Sequence, residues 1–107
     1  MGVESMATRE MAVVLRQYNV YPKRIVFYEH GFLVTAGGET GWLQPWRQRS
    51  DVKRYLGVYR ILSKQNSPLL LPLIRTKKRQ EAVFTSRRAY TFSKWPENAV
   101  PLKLPRS

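Results

Sequence analysis

Hydrophobic and polar residues follow two different periods along this chain, and the changes of period mark its elements. Met11, Val14, Leu15 and Tyr18 fall at i, i+3, i+4 and i+7. That spacing gathers them into one stripe and predicts a short amphipathic helix over Ala7 to Tyr18. Ser5 is its expected N-cap, while the β-branched pair Val13–Val14 argues mildly for a strand. Asn19 and Tyr21-Pro22 end the helix, because a residue before proline avoids helical angles.

From Lys23 the texture becomes β-branched and aromatic. Arg24 to Glu29 and Phe32 to Ala36 read as two strands, with His30-Gly31 between them as a turn in which Gly31 takes positive φ. Gly37 to Gly41 makes a second turn, Trp42-Leu43-Gln44 a third strand, and Pro45 closes the meander. The helical period returns at Val52, Tyr55, Leu56, Tyr59 and Leu62, over Val52 to Gln65. Ser50 or Asp51 caps its start, and Gly57 weakens it by about 1 kcal/mol relative to alanine. Leu69 to Arg75 is apolar, broken by Pro72 and expected to lie extended at a sheet edge. Thr76 to Gln80 is a basic loop; Ala82 to Thr85 and Ala89 to Phe92 are short strand candidates.

These elements define an α+β fold, a small β-hairpin or meander packed on one or two short amphipathic helices. Residues 1–94 form one small domain, neutral to about residue 46 and basic after it, and 95–107 an extended Pro-rich basic tail. A length of 107 residues allows little more than one domain.

Charge alters the picture most. Up to Trp46, Arg9, Arg16, Lys23 and Arg24 are balanced by Glu4, Glu10, Glu29 and Glu39, so the net charge of +12 arises entirely in the remainder. Like charges so concentrated repel one another unless an anion neutralises them, which makes a polyanion, most simply RNA phosphate, the expected partner. Arg47, Arg49, Lys53, Arg54, Lys77, Lys78, Arg79, Arg87, Arg88 and Lys94 are the candidate phosphate contacts. Trp46 and Trp95, beside these charges, are the candidate stacking or docking aromatics.

The leading expectation is therefore a structural rRNA-binding subunit of a ribonucleoprotein, a lineage-specific mitochondrial ribosomal protein in the matrix, beside neighbouring protein subunits. One alternative is a non-catalytic peripheral subunit of a membrane-bound respiratory-type complex, the only reading under which membrane-surface contact enters. A viral or phage nucleic-acid-binding protein is another.

Other chemistry finds little support. The chain has no cysteine and one histidine, so thiolate and paired-histidine metal sites are excluded and no metal or other cofactor is expected. No apolar run approaches the roughly 18 residues of a membrane span. Gly37 to Gly41 lacks the Lys-Ser/Thr and the spacing of a phosphate loop. His30 beside Glu29 has no nucleophile or second carboxylate near it, so catalysis is not expected.

Overall fold

The computed structural model describes residues 2–65 and 70–96, with side chains described from Arg9 onward. Helix α1 (Gly2–Gln17) leads into strands β1 (Arg24–Tyr28), β2 (Gly31–Ala36) and β3 (Glu39–Trp46). Helix α2 (Arg49–Lys64) comes next, then β4 (Ala82–Phe84) and β5 (Ala89–Lys94). The strands form one five-stranded sheet in the order β1-β2-β3-β5-β4, antiparallel at every pairing. The fold is α+β, a meander on short helices, with β4 and β5 extending the same sheet beyond β3.

Side chains alternate across a strand, so each face of the sheet has its own residues. On one face Phe27, Phe32, Leu43 and Phe92 lie in register across β1, β2, β3 and β5. Helix α1 closes this face with Met11, Val14, Leu15 and Tyr18, all buried, against Val34, Leu43, Val83, Tyr90 and Phe92. This is the stripe that the helical spacing predicted. Helix α2 covers the opposite face at the β4–β5 end, where Val52 and Leu56 meet Ala82 and Ala89 beside Trp46, Tyr55 and Leu73.

The local chemistry departs from expectation at several places. Helix α1 begins at Gly2, so Ser5 lies within it and is not its cap. The first hairpin turns on Glu29-His30, both at positive φ (50° and 62°), and Gly31 is already the first residue of β2. Glycine is required at 31 for room: a Cβ there would lie 2.5 Å from the Trp42 indole nitrogen. The second turn is only Gly37-Gly38, with φ of 59° and 81°. Gly41 belongs to β3, and the Phe92 ring occupies the space its side chain would fill.

Pro45 does not close β3 but pairs with Tyr90 inside it. The β2 ladder ends at the Phe32↔Leu43 pair, so Pro45 faces no β2 partner and sits at what is locally an edge. Helix α2 starts before the expected Ser50 or Asp51 cap, on Gln48, whose side chain makes no capping hydrogen bond. Asp51 instead lies in its first turn, where its charge suits the positive end of the helix dipole.

Residues 70–75 run extended, as expected, and continue the edge of β4. The Ile74 N–H donates to the Phe92 carbonyl, the Lys94 N–H to that of Pro72, and Leu73 bridges Ser93. Residues 97–107 of the expected tail, and Leu69, lie outside the described residues. Trp95 is packed against the sheet: its N–H donates to the Thr40 carbonyl.

Candidate functional site

The α2 face of the sheet sets tryptophan and tyrosine rings beside small polar side chains. Trp42, Gln44 and Trp46 alternate onto it from β3, Leu33 from β2, Val26 and Tyr28 from β1, and Thr91 and Ser93 from β5. The Trp42 indole N–H donates to the Tyr28 carbonyl at 3.3 Å. The Trp95 ring meets Tyr28 edge-on at 5.8 Å and Trp42 at 6.3 Å between centroids. This cluster is half-buried and closes the β1–β3 part of the face, with Leu33 buried in the same row.

Nearer α2, the Trp46 indole N–H donates to Thr91 Oγ1 at 3.0 Å, and its ring lies 5.0 Å from that of Tyr55. Tyr59 Oη accepts the Leu73 N–H at 2.9 Å, tying the extended segment to the helix. Burial raises the Tyr55 hydroxyl above its ordinary range; a hydrogen bond with Ser93 opposes this and Tyr59 adds to it. Among the described residues, every side-chain polar atom that is fully buried is satisfied, as close packing demands.

On the α1 face, buried polar groups tie the helix to the sheet. Tyr18 Oη donates toward the Tyr90 carbonyl at 3.4 Å. The Tyr90 hydroxyl donates to the Glu10 carboxylate, which also pairs with Arg88 Nε at 3.3 Å. Burial pushes both Tyr18 and Tyr90 well above the ordinary tyrosine value, and Glu10 adds to the shift of Tyr90. An open cavity of about 530 Å³ lies beside the end of α1, floored by Val34, Ile74 and Phe92 and walled by Glu39 and Lys94.

The fold brings some of the candidate phosphate contacts together and sets others apart. Arg47, Arg49, Lys53 and Arg54 are exposed at the start of α2, with the Arg49 guanidinium 5.1 Å above the Phe84 ring. Lys77, Lys78 and Arg79 project from a tight turn held to the end of α1, where the Lys77 N–H donates to the Gln17 carbonyl. Arg87 and Arg88 lie in the β4–β5 turn, Arg88 committed to Glu10. Lys94 is at the opposite end of β5. The start of α2 and the β4–β5 turn thus adjoin, since Trp46 pairs with Ala89 and Arg49 lies over Phe84, whereas Lys77, Lys78 and Arg79 sit at the end of α1. Trp46 and Trp95 turn their rings into aromatic contacts within the chain. Sequence reading passed over Tyr28 and Trp42, which alternation along β1 and β3 would have placed beside them.

The sheet is five-stranded and antiparallel, with helix α2 inserted between its third and fourth strands in chain order. Among solved structures, the chain is similar to the crystal structure of aminoglycoside phosphotransferase from Alicyclobacillus acidocaldarius subsp. acidocaldarius DSM 446, with a TM-score of 0.66 at 13% identity. The likeness covers 78% of this chain and 26% of that one, so this chain spans about a quarter of the phosphotransferase's length. No family model matches the sequence, and no curated protein matches it.

This likeness overturns the expectation of a ribosomal protein, together with its respiratory-complex and viral alternatives. The likeness is one of fold, to about a quarter of a phosphotransferase. The error has a physical source: net charge governs solubility and long-range attraction, and it does not specify a fold.

Proposed function

We propose that this chain is the sheet-bearing lobe of a kinase-like protein, and that it shapes and supports such a protein without handling phosphate itself. The observation that carries this reading is the structural likeness to the phosphotransferase over 78% of this chain, at a TM-score of 0.66. A kinase-type lobe grips the transferred phosphate through a glycine-rich loop, a lysine on the third strand and a helix glutamate that pairs with that lysine. Here β3 presents Thr40, Trp42, Gln44 and Trp46 to the α2 face and contains no lysine. Helix α2 contains no glutamate; its acidic residue is Asp51, in the first turn. The β1–β2 turn is Glu29-His30, which brings a carboxylate where an anion would need a donor.

The similar structure is named as an aminoglycoside phosphotransferase. Aminoglycosides are polyamines, and a net charge of +12 repels them; that substrate is not carried over. The test is incubation with Mg-ATP labelled in its γ-phosphate and a set of acceptors that includes an aminoglycoside. No label transfer is expected. Transfer that a substitution at Trp42 or Gln44 abolishes would replace this reading with a catalytic lobe.

A further inference from the structure

The sheet has two outer strands, β1 and β4, and they are protected very differently. Strand β4 has three residues, is continued by the segment around Leu73, and lies next to the Arg87–Arg88 turn with Arg49 over its Phe84. Short length and flanking positive charge are the usual means of blunting an edge. Strand β1 is longer, and the basic residues beside it, Lys23 and Arg24, stand at one end only. It is Arg-Ile-Val-Phe-Tyr, without proline, and Phe27 is 63% exposed on it.

We propose that β1 pairs with β1 of a second copy of this chain, antiparallel about a two-fold axis at Val26, joining the two sheets into one. The sequence around Val26 is self-complementary in that register. Ile25 then meets Phe27 of the second copy on the α1 face and covers its exposed ring. Val26 meets Val26, and Arg24 meets Tyr28. Just beyond the strand, Lys23 comes opposite Glu29, forming the same charge pair twice, once on each side of the axis. A closed two-fold interface requires this kind of matching, in which each residue meets its own partner's partner.

Charge placement supports the same occupant. The bases and acids up to Trp46 balance, and the net charge of +12 belongs to residues 47–107. Strand β1 is the outer strand farthest from β4 in the sheet. Pairing through β1 therefore joins the neutral sides of two molecules and leaves their cationic sides apart, where mutual repulsion is least.

Sedimentation equilibrium of the full chain tests this. The wild type is expected to show a concentration-dependent dimer. Val26→Lys and Val26→Glu each oppose like charges across the axis and are expected to raise the dimer dissociation constant roughly tenfold or more. An equimolar mixture of the two variants is expected to restore dimers, because lysine then faces glutamate. Phe27→Lys, at an exposed position, supplies a variant whose folding does not depend on Val26, and it is expected to weaken the dimer as well. A wild type that stays monomeric at millimolar concentration would overturn the proposal. So would a dimer indifferent to these substitutions, or a mixture no better than either variant alone.

Discussion

The two faces of the sheet are built from different materials and closed to different degrees. On the α1 face, Val14, Leu15 and Leu43 are fully excluded from solvent, and the cluster is largely aliphatic. On the α2 face, Val52 and Ala89 are equally buried, but Trp46, Tyr55, Leu73, Trp42 and Trp95 around them remain half-exposed. The first face is a core in the ordinary sense. The second is an aromatic lining of β1–β3 whose rings meet at their edges and tilts, with indole N–H groups bonded inside the chain. The difference teaches where this fold can accept change: the α1 face is the more tightly closed of the two, and the α2 face is lined by aromatic side chains that stay partly exposed.

The comparison is broken most directly in the α1-face core. Leu15→Ala is expected to cost about 2–5 kcal/mol, and Leu56→Ala on the α2 face to fall at the low end of that range, since Leu56 retains 8% exposure at the margin of its cluster. Urea midpoints at constant slope measure both. Equal losses would mean that the two faces contribute alike. Next in size is Gly31→Ala, expected to cost about 1–3 kcal/mol through overpacking, because the new methyl group meets the Trp42 indole and lies 3.0 Å from the Leu43 carbonyl oxygen.

Tyrosine ionisation sharpens the contrast further. Tyr18 and Tyr90 have folded-state values raised above the unfolded one by burial, so their contribution is fully present below about pH 10 and is lost as pH rises toward the folded-state values. Absorbance at alkaline pH should show these two ionising last, together with loss of structure. Two buried tyrosines titrating near the ordinary value with the fold intact would contradict the packing at the α1 face. The smallest effect is reserved for the exposed pair Arg60–Glu81, where Arg60→Ala is expected to change stability by no more than about 1 kcal/mol.

Much of the architecture was legible in the sequence because period alone dictates it. The Met11–Val14–Leu15–Tyr18 stripe became the helix face that closes the core, and the strand candidates at 82–85 and 89–92 joined the sheet. Details that depend on a distant neighbour were not legible. The need for glycine at 31 comes from Trp42, across the sheet, and the tolerance of Pro45 comes from where β2 ends. The spatial grouping of the candidate site residues was not legible for a similar reason. Which of these charges share a place depends on pairing: the start of α2 and the β4–β5 turn adjoin through Trp46 and Ala89, whereas the Lys77–Arg79 turn is held at the end of α1. The sheet order itself emerges only from three-dimensional pairing, and at 13% identity to the phosphotransferase the sequence does not announce it.

The measurement that tests the central claim most directly is a titration of the folded chain with Mg-ATP, monitored through the indole N–H resonances of Trp42 and Trp46. If the α2 face is closed by its own aromatics and lacks a phosphate grip, both resonances stay in place to millimolar nucleotide. A saturable shift of either one would show that this face holds nucleotide, and would contradict the account of a lobe that supports a kinase-like protein without handling phosphate.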